Sequence, residues 1–241
     1  MSQGIIYPEL DKPTVVSFPL RGEWVAIHTP AHRIPSHGTD GLGQRYAFDF
    51  LRTDERGGMH FHPGSMLRYC VIGVPTRSCY CWQETIYAPF DGEVVLAKDG
   101  LREGSWLHPV ADVLSVVKNT VSANVKARLF GVHALDLQAY LGNHLILRHE
   151  NVYALFAHLR PNSIAVSEGQ VVHEGDMLGR VGHTGNSTAP HLHFQLMDSK
   201  DPFGARGIPC AFRAYEAFEH GMWEQISAGI PQRLQRIRHP G

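Results

Sequence analysis

The sequence predicts a mainly β fold, an antiparallel β-sandwich or open barrel with two loop or helical insertions. Three stretches carry that expectation. Asn143–His149 alternates apolar and polar residues, Glu150-Asn151 turns the chain, and Val152–Leu159 alternates again, which is the pattern of a hairpin. Between Val166 and Gly182, short β-prone runs are separated by Gly169, Gly175 and Gly179. Ile86–Ala97 reads as two strands joined at Asp91-Gly92, a favoured hairpin turn. Close-spaced short strands with glycine turns point to an all-β architecture.

The remaining elements follow in chain order. Val15–Leu20 and Glu23–His28 are β-branched and aromatic runs that read as strands. Residues 34–41 are rich in Pro, Ser and Gly and form a loop. The next strand, Gln44–Leu51, places Tyr46, Phe48 and Phe50 on one face and Ala47, Asp49 and Leu51 on the other. Residues 52–84 read as a surface insertion. In the second insertion, residues 98–141, Val110, Val113, Leu114 and Val117 have helical spacing and are expected to pack locally. Ala134–Leu141 is a short helix or a loop. Beyond Asp201-Pro202, Cys210–Phe218 is a strand or a turn of helix, and residues 222–241 are expected to wrap the surface. The organisation expected is one domain over 1–241. Its core comprises about 14–51, 86–97 and 142–198, its insertions about 52–84 and 98–141, and its tail about 202–241.

Composition limits the function classes. The chain has 241 residues, 43% hydrophobic and 19% charged, enough apolar material for a real core. Its 22 basic and 23 acidic residues leave no global field for nucleic acid or an anionic membrane. No run of 18 apolar residues exists, so no transmembrane helix is expected, and the first thirty residues lack the regions of a secretory signal. The default expectation is therefore cytoplasmic, or periplasmic and cell-wall-associated if another route exports the protein. Cys70, Cys79, Cys81 and Cys210 contain no CxxC pair and read as free buried thiols.

Histidine is abundant, at 16 residues, and one pair stands out. His191-Leu192-His193 follows a Gly/Asn/Ser/Thr/Pro loop and opens an alternating run. On a strand, residues i and i+2 share a face, so His191 and His193 project together at the strand mouth. Such a pair can bind a metal or divide acid–base work. A second pair, His60-Phe61-His62, shows how cheap the pattern is; His60, His62, Cys79 and Cys81 are expected to lie outside the site. Asp49 is an acid amid an apolar strand, costly to bury unless paired or bound to a cation. Plain alternation puts His158 on the face of Ala154 and Phe156, where a core histidine is the ordinary reading.

Four pieces stand in order: Ser36-His37-Gly38 with Asp49, Tyr153–Leu159, Gly182-His183-Thr184-Gly185, and His191-Leu192-His193. Together they resemble the lysostaphin-type, or LytM-domain, zinc metallopeptidases that cut peptidoglycan cross-bridges, with a fold of the duplicated hybrid motif type. The resemblance is close over 86–97 and 142–198 and looser over 34–50. It implies one zinc per chain, held by His37, Asp49 and His193, with His158 and His191 as the catalytic pair. It departs from the family in spacing: His37 and Asp49 are 12 residues apart where about four is usual, which makes Asp40 a competitor of Asp49. The chemistry is consistent with the resemblance. A catalytic zinc takes three N or O ligands and keeps a position for water. One remaining histidine can accept the water's proton, while the other stabilises the oxyanion and helps protonate the leaving amine. No His-Glu-x-x-His helix supplies a glutamate base. The partner implied is peptidoglycan or another peptide. The alternative is a catalytically silent LytM-type binding or activator module. A biotinyl or lipoyl carrier would need a lysine at a hairpin tip, which is missing, and a sugar-phosphotransferase module would use two histidines without a metal.

Overall fold

A computed structural model of the chain describes residues 10–55, 57, 60–131 and 136–240. Along the chain the strands are β1 (Thr14–Val16), β2 (Glu23–His28), β3 (Phe48–Leu51), β4 (Val74–Pro75), β5 (Thr85–Tyr87), β6 (Gly92–Lys98) and β7 (Trp106–Leu107). Then follow β8 (Asn143–His149), β9 (Val152–Leu159), β10 (Val171–Val172), β11 (Met177–Arg180), β12 (Leu192–Met197), β13 (Gly207–Ile208), β14 (Cys210–Glu219), β15 (Met222–Gly229) and β16 (Arg236–Arg238). Three α-helices, α1 (Met66–Ile72), α2 (Pro109–Phe130) and α3 (Leu137–Leu141), lie in the two insertions. Among the described residues, twelve strands form one sheet in the order β1-β14-β16-β2-β3-β12-β9-β8-β6-β10, with β13 on β12 and β15 on β14. The fold is mainly β, as the alternation predicts; β1 and β14 run parallel, whereas the pairs that build the centre of the sheet are antiparallel.

The two faces of the central strands carry different chemistry. One is aromatic: Phe18, Phe48, Phe50, Phe212, Phe156 and Phe194 are essentially fully buried. Phe18 meets Phe50 and Phe212 edge-on at 5.1 Å, and Phe156 meets Phe194 at 5.3 Å. Each such side chain contributes about 1.5–3 kcal/mol by leaving water. The opposite face carries Leu155, Ala157 and Met197 in a smaller cluster, interleaved along β12 with His193 and Gln195. Alternation on β3, β9 and β12 thus separates a core that needs no polar atom from a face that holds polar ones.

Several segments differ from their sequence reading. Only Phe48–Leu51 of Gln44–Leu51 is strand; Gly41–Tyr46 coils with positive φ at Leu42 and Gly43, and the Ser36 amide donates to the Arg45 carbonyl. Residues 52–84 are not a surface excursion, because Phe61, Tyr69, Cys79 and Cys81 join the main core. Cys79, Cys81 and Cys210 are buried free thiols, while Cys70 is exposed. The tail does not wrap the surface. It supplies β14, β15 and β16, and β16 sits between β14 and β2. Its arginines gave a solvent-facing pattern, yet Arg236 stacks 4.4 Å from the Phe218 ring and Arg238 4.3 Å from Trp223, and only Ile237 between them is fully buried. The helical spacing at 110–118 extends to Phe130, but Val110, Val113, Leu114 and Val117 are more than half exposed rather than packed. Of Ala134–Leu141, residues 134 and 135 lie outside the described residues, and Leu137–Leu141 is helical.

Candidate metal centre

Asp49 on β3 and His193 on β12 are direct cross-strand partners, so their side chains leave the sheet side by side on the face opposite the phenylalanines. Asp49 is 5% exposed and has imidazoles on every side. His28 Nδ1 lies 2.7 Å and His37 Nε2 2.9 Å from its Oδ2; His193 Nδ1 lies 2.8 Å and His191 Nε2 3.6 Å from its Oδ1. The His158 ring is centred 4.7 Å from that of His191 and 6.0 Å from that of His193. All five residues named from the sequence therefore meet at one place. Asp40 does not join them: it is exposed and ion-paired with Arg45 at 2.7 Å. Among the described residues, His62 packs against Phe61 and Tyr69, and the Cys81 thiol donates to the Pro190 carbonyl, so neither is among the groups around Asp49.

Two β-bulges bring in residues that plain alternation sends elsewhere. On β2, Ala26 pairs with Phe50 but His28 pairs with Asp49, so one extra residue, Ile27, is looped into the strand and His28 arrives beside the carboxylate. On β9, Leu159 pairs with Asn143 but Phe156 pairs with Leu145, so Ala157 and His158 stand together opposite His144. His158 takes φ +63°, a left-handed conformation that a β-carbon makes costly. That turn lifts it off the Phe156 face and onto the His193 face, which corrects its sequence reading as a residue of the Ala154–Phe156 side.

Each ring is oriented by its second nitrogen. A carbonyl oxygen can only accept, so His158 Nδ1 donates to the Thr184 carbonyl at 2.9 Å and His191 Nδ1 donates to that of Ala189 at 2.8 Å. Gln195 Nε2 donates to the Leu42 carbonyl at 2.8 Å, which leaves its Oε1 to accept from His193 Nε2 at 2.8 Å. The Ser36 hydroxyl donates to the Gln44 carbonyl and receives His37 Nδ1 at 3.0 Å. In the neutral rings, His158 Nε2 and His191 Nε2 are therefore unprotonated, while His37 Nε2 and His193 Nδ1 lie within hydrogen-bond distance of Asp49. His28 and Gln195 were missed from the sequence. Gln195 had a signal, because it follows His193 by two residues on the same strand face; His28 had none, since only the bulge delivers it.

The electrostatics fit this arrangement. Burial alone would raise the Asp49 carboxyl, but His37 and His191, with hydrogen bonds from His193 and His28, hold it well below the ordinary carboxylate range. Burial pushes His158 well down, with His191 and His193 adding to the effect, and it also lowers His37 and His191. His193 is the exception: burial lowers it, but the Asp49 carboxylate outweighs burial and raises it. Either a proton or a metal cation must stand between each of these nitrogens and the carboxylate. The donor atoms of His28, His37 and Asp49 all lie within 4.8 Å of one another, the span of a single ion's ligands. Imidazole nitrogens with a carboxylate are the donor set of a catalytic zinc, whose bonds of about 2.0–2.2 Å need only a small opening of these contacts. The residues therefore fit a metal: His28, His37 and Asp49 could hold it, and His193 stands beside them on the other carboxylate oxygen.

Residues 107–204 match the family model described as peptidase family M23. That segment, less than half of the chain, is similar to M23 peptidases. The matched segment contains His158, His191 and His193, whereas His28, His37 and Asp49 precede it. The M23 segment is similar to the peptidoglycan DD-endopeptidase ShyA of Vibrio cholerae, 38% identical over 74 residues, which are 30% of this chain and 17% of ShyA. It is also similar to the DD-carboxypeptidase/endopeptidase Mpg of Neisseria meningitidis, 42% identical over 62 residues, 25% of this chain and 14% of Mpg. The match thus spans less than a fifth of the length of either relative. The catalytic domain of the antimicrobial peptidase lysostaphin from Staphylococcus simulans superposes with a TM-score of 0.35 and 18% identity, covering 78% of this chain and 88% of that one.

Behind the M23 histidines lies His183, 9% exposed, whose Nδ1 donates to Ser187 Oγ at 3.0 Å; that hydroxyl donates to the Ala189 carbonyl that orients His191. Burial, with His191 nearby, pushes its imidazole down to about 4. The unfolded chain takes up the same proton near 6.5. The neutral ring's contribution is thus complete above pH 6.5 and is lost as pH falls from there toward 4. A difference of about 2.5 pH units corresponds to about 3 kcal/mol. Urea titrations of the metal-free protein are expected to show wild type losing stability over that window faster than His183→Gln. Parallel curves would show that His183 does not titrate this way.

Proposed function

We propose that this chain is a zinc-dependent endopeptidase that hydrolyses the peptide cross-links of peptidoglycan. The observation that supports this best is the set of histidine nitrogens gathered around the buried Asp49. Zinc, when bound, supplies Lewis acidity that lowers the pKa of a water toward neutrality. The chain supplies the proton handling. One of the neutral His158 and His191 rings accepts a proton at Nε2 from the attacking water as the oxygen bonds to the scissile carbonyl carbon. Only after that uptake can the ring donate to the oxyanion, so the base role comes first. The same proton then passes to the leaving nitrogen as the C–N bond breaks. Carbonyl partners at both Nδ1 atoms keep the reactive nitrogens turned inward throughout.

The two Asp49 oxygens divide the donors into two sets. His37 is common to both; the family resemblance completes the set with His193, and the donor spacing completes it with His28. A peptidoglycan substrate, as in the similar endopeptidases, lies outside the cytoplasmic membrane, and the cytoplasmic default is not supported by that likeness. Among the described residues no helix is long and apolar enough to cross a membrane.

The test is metal content together with digestion of purified peptidoglycan. One zinc per chain is expected, with release of cross-link fragments that stops on chelation and returns on adding zinc. Protein that holds stoichiometric zinc and cuts neither peptidoglycan nor cross-bridge peptides would instead be a silent LytM-type binding or activator module.

A further inference from the structure

Beside the histidine cluster a cleft of about 460 Å³ opens between the loop that follows His37 and the second insertion. Thr39, Leu42 and Gln44 form one wall; Thr120 and Lys126 of α2 and Tyr140 of α3 form the other. On one wall the cleft is two hydrogen bonds from the donor histidines. Leu42 anchors Gln195, which orients His193, and the Gln44 carbonyl accepts from Ser36, the neighbour of His37. On the far side, the Asn186 amide donates to the Tyr140 carbonyl at 2.9 Å, two residues beyond the Thr184 carbonyl that orients His158. The volume is that of an ordinary ligand pocket and suits a short extended peptide rather than a solvent gap.

One residue behind the wall and one group of the lining lack the partners their chemistry calls for. Asn186 reaches Thr120 Oγ1 with its Nδ2 at 3.4 Å, but its Oδ1 is buried and has no hydrogen-bond partner among the described residues. Asn186 is not part of the lining, so this buried acceptor stands behind the cleft wall rather than in it. Lys126 forms no ion pair with any described acid. Asp136, the other charged residue of the lining, already accepts from the Gln138 and Ala139 amides at the start of α3. The uncommitted charge of the cleft is therefore Lys126's ammonium.

We propose that this cleft is the substrate subsite and that it selects a peptide carrying a free carboxylate near the scissile bond. Lys126, the uncommitted charge of the lining, pairs with the carboxylate. This rests on the endopeptidase reading above, but it can be tested without turnover. Binding of a fluorescent cell-wall stem peptide with a free C-terminal carboxylate, and of its carboxamide, is measured on the chelator-treated full chain at low salt. Wild type is expected to favour the carboxylate by about three- to tenfold, a preference that salt weakens. Lys126→Gln should abolish the preference and Lys126→Glu reverse it. Lys118→Gln, on the same helix but not in the lining, should retain it. Equal binding of the two peptides by wild type, or an intact preference in Lys126→Gln, overturns the proposal. If the preference stands while the zinc-loaded protein cuts nothing, the subsite survives and the endopeptidase reading falls.

Discussion

Asp49→Ala is expected to abolish metal binding and with it all hydrolysis of peptidoglycan. Asp49 and His37 are common to both candidate ligand sets, and Asp49 alone of the two meets His28 and His37 through one carboxylate oxygen and His193 through the other. The metal-free variant should also be less stable than metal-free wild type by about 3 kcal/mol in urea, since buried imidazoles lose the charge that compensates them. Asp40→Ala is the matched control. That carboxylate is 64% exposed and pairs with Arg45 near the surface, so its loss should cost less than about 1 kcal/mol and leave the metal in place. Zinc retained in Asp49→Ala and lost in Asp40→Ala would move the ligand to the residue closer to His37. Zinc titration of His28→Ala and His193→Ala then resolves the third donor. If His193 is the ligand, its variant loses the metal and His28→Ala weakens it about 10–100-fold as an outer partner of the carboxylate. The reverse order would make His28 the ligand.

His158→Ala and His191→Ala are each expected to lower the rate by about 10²–10⁴ while leaving zinc content unchanged. His158 has its nearest ring contact with His191 and no hydrogen bond to Asp49, and His191 Nε2 stands off the carboxylate at 3.6 Å, so neither is held where the other four donors are. The double variant should cost less than the product of the singles, because adjacent rings share one proton. The pH profile gives an independent check. Burial holds both rings below the ordinary histidine range, so the base form persists below pH 6.5. Activity should therefore survive into mildly acid solution and fall only as pH drops through the lowered values. Loss of zinc along with activity in either single variant would make that ring a ligand and end the division between donors and proton carriers.

Local patterns in the sequence already determined a good part of this. Strand alternation put His191 and His193 together at a strand mouth, made Asp49 an acid that needed a reason to be buried, and marked the hairpin of residues 143–159. These are properties of neighbours along the chain, with a period of two, and a single strand shows them. The tertiary structure decided what depends on pairing between distant strands. It joined β14 and β16 to β2, and it left the apolar residues of α2 in solvent. It tied Gln195 to a carbonyl 153 residues away. It also inserted one extra residue into β2 and one into β9, which brought in His28 and turned His158 onto the face of His193. A bulge leaves no mark in the composition or periodicity of its own strand, because it is defined by the count of residues on the strand opposite. One extra residue there exchanges the faces of the side chains beyond it.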